Sequence, residues 1–166
     1  TGEEKVIAKR TDTGFKVTVK ANRGGLDKAH VKGWIDFNNN GTFDEGEASV
    51  MTEVTADGNV ELTFTTDVKA ITTAEVGSRI RIAENAEEIQ QPTGFAGSGE
   101  VEDQLMNLEI RTFYIDKEGN EIATKEDGLK DKKSIDGYRY IETRTRENGD
   151  REHVYEQLKT TFVDVD

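Results

Sequence analysis

Apolar and polar residues alternate along much of this chain, and no segment sustains an apolar period of 3.6 residues over three turns, so strands rather than helices are expected throughout. Phe15-Lys16-Val17-Thr18-Val19-Lys20-Ala21 alternates strictly, as a strand with one buried face does. Val31 to Phe37 reads as a second strand, and the adjacent Trp34 and Ile35 point to opposite sides of it, so both of its faces are expected to be covered. Asn38 to Gly46 is a turn-rich loop and Val50 to Val54 a short strand. Asp57-Gly58 is a hairpin signal, with Val60, Leu62 and Phe64 alternating on the return strand. Thr66 to Val76 fits a loop or a single helical turn. Ser78 to Ala83 is a strand with Ile80 and Ile82 inward and Arg79 and Arg81 outward. Glu84 to Ser98 is a long loop holding the only proline, Pro92, and Leu105 to Ile110 closes the unit. The pattern predicts an all-β chain that begins with a β-sandwich of roughly seven strands over residues 1–110.

The texture changes after Ile110. Thr112 to Asp116 is a strand, Lys117-Glu118-Gly119-Asn120 its turn, and Glu121 to Ala123 the start of a return. Thr124 to Ser134 is polar and reads as a loop. Ile135-Asp136-Gly137-Tyr138 leads into a strand that runs through Thr143. Glu147-Asn148-Gly149-Asp150 is a strong hairpin turn before a last strand, Glu152 to Leu158. Phe113-Tyr114-Ile115-Asp116 is echoed by Thr161-Phe162-Val163-Asp164, and repeats of this order of length mark strings of small modules. Residues 111–158 therefore read as a small β-rich repeat module, and 159–166 as the opening of a next one.

Composition narrows the function. With 33% hydrophobic and 34% charged residues, little material is available for burial, and thin β-domains are expected. A net charge of −12 repels phosphate backbones and argues against nucleic-acid binding, while it suits solubility and divalent cations. No apolar run approaches the length needed to insert into a membrane. There is no cysteine, so disulfides and thiol catalysis are excluded. Thr1 to Arg10 is not a signal peptide, and the chain reads as a segment of a longer protein, monomeric within it.

The sharpest chemical motif is Asp36-Phe37-Asn38-Asn39-Asn40-Gly41-Thr42-Phe43-Asp44-Glu45-Gly46-Glu47. It fits a twelve-residue calcium loop: Asp36, Asn38 and Asn40 at alternate positions, Gly41 at the sharp bend, Thr42 offering its carbonyl, Asp44 a direct or water-bridged oxygen, and Glu47 a bidentate carboxylate. The flanks are strands rather than helices, and the plainer reading is a loop whose Asn and Asp side chains cap its own backbone. A second group, Arg79, Arg81, Glu100, Glu102 and Asp103, reads as a surface ion-pair network in preference to the carboxylate pair of a glycosidase. His30 and His153 have no metal or triad partners announced by the sequence and are expected to be structural or solvent-facing. Tyr138, Tyr140 and Tyr155 fit core packing better than a sugar-stacking platform. A Lys–Asn isopeptide bond depends on buried neighbours that spacing does not reveal.

Gly33-Trp34-Ile35-Asp36-Phe37-Asn38-Asn39-Asn40-Gly41-Thr42-Phe43-Asp44, Ser78-Arg79-Ile80-Arg81-Ile82 and Gly99-Glu100-Val101-Glu102-Asp103 resemble, in order and spacing, the GEVED-type β-domain of bacterial secreted and surface proteins. The family usually follows its last block with an aromatic residue, where this chain has Gln104. The Trp-Ile-Asp-Phe-Asn block is also similar to modules of streptococcal fibrillar adhesins. Residues 111–158 resemble the mucin-binding-protein-type repeats of Gram-positive surface proteins, through Phe113 to Ile122, Ile135 to Tyr138 and His153 to Glu156. That resemblance implies small, β-grasp-like modules in tandem, and attachment to the cell wall through a distant C-terminal signal. Together the resemblances imply a non-catalytic part of a secreted cell-surface adhesin, binding a host glycan, mucin or extracellular-matrix protein. The alternatives are a purely structural spacer or an accessory domain of a secreted hydrolase.

Overall fold

The computed structural model describes residues 6–94 and 99–159. Every regular element among them is a strand, apart from three single 3-10 turns. The chain divides into two compact units, Thr1–Glu109 and Ile110–Asp166.

The first unit contains β1 (Val6–Arg10), β2 (Gly14–Ala21), β3 (Ala29–Ile35), β4 (Thr52–Val54), β5 (Gly58–Thr65), β6 (Glu75–Ala83) and β7 (Glu100–Leu108). Their order across the sheet is β4-β3-β6-β7-β1-β2-β5. β1 is the corner of this folded sheet. Its first three residues pair parallel with Met106 to Leu108 of β7, and its last two pair antiparallel with Phe15 and Lys16 of β2. A strand that changes partner midway is how one sheet bends into two packed layers. The expected β-sandwich is thus present.

The core lies between those layers. Phe15, Val17, Leu62 and Phe64 come from β2 and β5, and Val31, Ile35, Val76 and Met106 from the layer opposite; all are buried. Gly33 on β3 shows how closely the layers approach: a Cβ there would lie 2.9 Å from Ile80 Cδ1, 3.0 Å from Leu62 Cδ1 and 3.1 Å from Phe64 Cζ. Phe37, just past β3, stacks on Phe15 at 5.8 Å and meets Phe64 edge-on at 6.0 Å, which anchors the start of the following loop in the core.

Three details depart from the sequence pattern. Asp57-Gly58 does not close a hairpin: β4 pairs with β3 and β5 with β2, so this turn carries the chain from one layer to the other. Asp57 is instead bonded by the backbone N–H and Nε of Arg23, both at 2.9 Å. β1 is a strand that five residues with little alternation do not announce. β7 begins at Glu100 rather than Leu105, because pairing with β6 over Glu75 to Ile82 carries its polar first half along.

The second unit contains β8 (Arg111–Asp116), β9 (Glu121–Asp127), β10 (Tyr138–Thr145) and β11 (Arg151–Gln157) in the order β10-β11-β8-β9. β8 and β11 pair parallel at the centre, and each is flanked by its own hairpin partner. That is a β-grasp-like sheet, but the crossover over 128–137 is an irregular strap with no helix. β9 runs four residues past the expected Ala123 because Glu126 and Asp127 still pair with Thr112 and Arg111.

The strap is held by polar groups on one sheet face. Thr112 Oγ1 donates to Gly128 O at 2.7 Å and accepts from Lys130 N at 2.8 Å. Tyr155 Oη donates to Lys133 O at 2.7 Å and accepts from Lys133 N at 3.2 Å. His153, buried, bonds Lys130 O through Nε2 and Thr143 Oγ1 through Nδ1, each at 2.7 Å, so it is a structural histidine as expected. Lys133 Nζ lies 4.3 Å from the centre of the Tyr114 ring and Lys132 Nζ 4.1 Å from that of Tyr140. Tyr155 and Tyr114 are buried, and Tyr138 and Tyr140 half-buried, in line with packing roles. Among the described residues no lysine is buried, so none is enclosed beside an asparagine as an isopeptide bond requires.

All four tyrosines lie in the second unit and the single tryptophan in the first, so the two can be followed separately in one chain. Tyr155→Phe removes both hydroxyl bonds to the strap and is expected to destabilise the second unit by about 1–2 kcal/mol. Urea unfolding followed by the tyrosine signal checks this, with Trp34 fluorescence unmoved.

Candidate functional site

The loop from Asp36 to Glu47 leaves β3 and ends in a 3-10 turn over Glu45–Glu47. Its two ends are the buried carboxylates Asp36 and Glu47, while Asn38, Asn40 and Asp44 are exposed. Asp36 Oδ1 accepts from Asn40 N at 3.1 Å and Oδ2 from Gly41 N at 2.9 Å. Gly41 has φ +84, the left-handed conformation that makes this bend inexpensive for glycine. Glu47 reaches back along the loop, accepting from Asp44 N at 2.8 Å and Asn38 N at 3.3 Å. Asp44 Oδ2 accepts from the side-chain amides of Asn40 at 2.7 Å and Asn38 at 3.2 Å. The Thr42 hydroxyl lies 3.0 Å from both Asn40 Oδ1 and Asp44 Oδ1. The six residues singled out in the sequence therefore form one hydrogen-bonded loop.

The electrostatics of the loop are uneven. Burial pushes the Glu47 carboxyl above the ordinary carboxylate range despite the two N–H bonds it accepts, and the charges of Asp36 and Asp44 add to that push. The bonds from Asn40, Asn38 and Thr42 hold Asp44 below its ordinary value. Each carboxylate is engaged by the loop's own donors, with the Asn38 and Asn40 amide nitrogens, rather than their oxygens, turned to Asp44. Among the described residues no group of three or more His, Asp or Glu side chains is arranged to hold a metal ion.

Beside this loop lies an arrangement that spacing alone did not disclose. Lys32, Arg79 and Arg81 point to the outer side of β3 and β6, and together they bond every carbonyl from Gln90 to Gly94. Lys32 Nζ donates to Gln90 O at 2.8 Å and Arg79 Nη1 to Pro92 O at 3.1 Å. Arg81 donates to Gln91 O at 2.8 Å, Thr93 O at 2.9 Å and Gly94 O at 2.6 Å. Ile89 is fully buried beneath the same loop. Arg79 also pairs bidentately with Asp103, at 2.7 and 2.8 Å, and lies over the Phe43 ring at 5.3 Å, so it touches both loops. The expected ion-pair network is thus half correct. Arg79 and Asp103 form it, whereas Arg81 points outward but is 1% exposed and bonds carbonyls instead of Glu100 or Glu102. The alternation of Ile80 and Ile82 with two arginines gives no sign that a loop folds back over the polar side.

Glu100 and Glu102 stand on the other side of β7, where they help line a groove of about 320 Å³ between β7 and β2. Val19, Ala21, Val31, Ile80 and Ile82 line it. His30 Nδ1 lies 3.0 Å from Glu84 O, and its Nε2 lies 3.4 Å from Glu53, an exposed structural contact.

Comparison with known proteins fits these two units. The GEVED domain model matches residues 30–107, and the SSSPR-51 domain model matches residues 110–157. Both are surface-protein domains rather than catalytic families. The second match does not carry the mucin-binding-protein-type reading of that segment. Over 49 residues the chain is 43% identical to muramidase-released protein of Streptococcus suis, a stretch that covers 30% of this chain and 4% of that protein's length. No solved structure gives a significant match. No helix among the described residues is long and apolar enough to cross a membrane.

Arg81→Met keeps the apolar stem but removes three carbonyl bonds. Limited proteolysis between Gln90 and Gly94 is expected to accelerate several-fold in this variant, with Arg81→Lys only partly restoring protection. Equal cleavage rates for all three chains would show that the loop holds itself in place.

Proposed function

We propose that this chain is a non-catalytic segment of a bacterial cell-surface adhesin, held at the wall through regions outside it, whose first unit presents the binding surface and whose second unit belongs to a repeat stalk. The observation that carries this reading is the pair of consecutive surface-protein domain matches, which together span nearly all of residues 30–157. The name of the streptococcal relative, a protein released by a muramidase, supports a place at the wall, since muramidases cut wall polymer. The loops 36–47 and 84–94 are both fixed by buried groups. Display loops on a rigid sheet suit binding, because little entropy is lost when a partner docks. Host glycan, mucin or an extracellular-matrix protein is the class of partner proposed. A mucin-binding-protein-type character for residues 111–158 belongs to the same proposal. Glycan arrays with mucin and fibronectin panels test it; silence on every panel at high protein concentration would favour a spacer.

We also propose that the 36–47 loop takes up Ca²⁺. Asp36, Asn38, Asn40, Asp44 and Glu47 would hold it by side-chain oxygens, and Thr42 by its carbonyl. The ion would bring positive charge to the neighbouring carboxylates of Asp36, Asp44 and Glu47. The donor set is chemically suitable, and the two amides would have to turn their oxygens from the backbone to the ion. Millimolar calcium is expected to raise the Tm of the first unit, read by Trp34, and Asp36→Ala to abolish the rise. Identical melting in chelator and in calcium would rule the site out.

The pH dependence has a definite sign. Glu47 holds its proton more tightly folded than unfolded, so the stability it contributes is complete below its ordinary carboxylate value and is lost as pH rises through the folded value. Asp44 acts oppositely, its contribution being lost as pH falls. Because calcium must displace the Glu47 proton, the calcium-induced rise in Tm is expected to grow with pH across that window. A rise independent of pH would separate Glu47 from the ion.

A further inference from the structure

Among the described residues, the first and last strands of each unit are parallel neighbours. In the first unit β1 pairs with β7 in the register Val6↔Met106, Ile7↔Asn107, Ala8↔Leu108. In the second, β8 pairs with β11 in the register Arg151↔Thr112, Glu152↔Phe113, His153↔Tyr114, Val154↔Ile115, Tyr155↔Asp116. Two unrelated topologies, seven strands in one and four in the other, arrive at the same relation between entry and exit.

That relation decides how a unit responds to being stretched along the chain. Tension enters at the N-terminal end of the first strand and leaves at the C-terminal end of the last. In a parallel pair those points lie at opposite ends of the ladder. The two strands are therefore dragged past each other, and the hydrogen bonds between them share the load. If the last strand ran antiparallel to the first, both points would sit at one end and the bonds would break one after another. We propose that each unit is a shear clamp, built to carry tensile load along the chain. This deepens the surface-stalk reading and rests on it for its purpose, but not for its mechanics.

Side chains reinforce both ladders. Beyond Ala8, Glu109 N donates to Ala8 O at 2.9 Å, Arg10 N donates to Glu109 Oε1 at 3.0 Å, and Arg10 Nη1 donates to Glu109 O at 3.0 Å. These bonds span the same two strands and lengthen a ladder of only three register pairs. In the second unit Arg111 N donates to Asp150 Oδ1 at 2.9 Å, tying the start of β8 to the turn that opens β11. The Tyr114 and His153 rings face each other across the pair, 5.4 Å apart. The strap hydroxyls of Thr112 and Tyr155 add cross-links on that face of β8 and β11.

Single-molecule stretching of the whole chain tests the clamp, because forced rupture reads the unfolding barrier rather than the equilibrium stability. Handles at the two termini are expected to give two rupture events, releasing roughly 360 Å of chain from Val6–Leu108 and roughly 160 Å from Arg111–Gln157 at ~3.5 Å per residue. In a second attachment, handles on Glu118→Cys and Leu158→Cys, both at exposed positions, pull apart the adjacent C-terminal ends of β8 and β11 and peel the same pair. The second unit is expected to yield at a several-fold lower force in that direction, while its urea midpoint stays that of the parent chain. Equal forces in the two directions would overturn the clamp, as would terminal rupture no stronger than the peeled one. Neither outcome depends on whether any ligand panel binds, so a failed clamp and a failed adhesion reading are separable.

Discussion

β1 hydrogen-bonds to β7 through Val6 to Ala8 and to β2 through Lys9 and Arg10, and the first unit depends on that two-sided engagement of five residues. Without it the β4-β3-β6-β7 layer and the β2-β5 layer would each present an open edge. With it the sheet folds over on itself and the facing apolar sides of β2, β5, β3 and β6 become one core. Phe37 and Gly33 mark how tightly that core closes. One fills the space between Phe15 and Phe64; the other leaves room for the side chains opposite.

The second unit solves the same problem with less apolar material. Its central pair, β8 and β11, buries Tyr114, Tyr155 and His153, whose polar atoms have to be satisfied. The strap over 128–137 supplies partners for His153 and Tyr155, while the Tyr114 hydroxyl donates to Glu126 of β9. Backbone carbonyls and amides at Gly128, Lys130 and Lys133 meet Thr112, His153 and Tyr155, and two lysines lie over tyrosine rings. A helix in that position would satisfy its own backbone and leave these hydroxyls unpaired. An irregular segment with free carbonyls suits a polar sheet face, which accounts for a β-grasp-like sheet without its helix.

The same economy recurs on the outer side of the first unit. Five consecutive carbonyls, Gln90 to Gly94, are held by Lys32, Arg79 and Arg81. Arg79 reaches from there to Asp103 and to Phe43 in the acidic loop. Charged side chains anchored on the sheet and bonded to the backbone of a loop give it a fixed shape without a hydrophobic core of its own. Both loops of interest for recognition are built on this principle, the acidic one through Asp36 and Glu47 and the other through arginine. In each unit the paired terminal strands then connect this rigid scaffold directly to the path of the chain.

By itself the sequence determined most of the strands, because alternation over Phe15–Ala21 and Val60–Phe64 admits only one buried face, and turn residues such as Glu147-Asn148-Gly149-Asp150 admit few chain reversals. It also determined the acidic loop as a unit, since Asp36, Asn38, Asn40, Gly41, Asp44 and Glu47 are close enough to bond one another locally. Partnership between distant strands was decided only in three dimensions. Asp57-Gly58 reads as a hairpin, yet its flanking strands belong to different layers, because β4 gains more from pairing with β3, and β5 from pairing with β2, than from pairing with each other. Arg81 reads as exposed, yet a loop ten residues on covers it. Alternation specifies which face of a strand is buried but carries no information about which strand lies alongside; that choice, and with it the parallel closure of both units, rests on contacts between residues far apart in the chain.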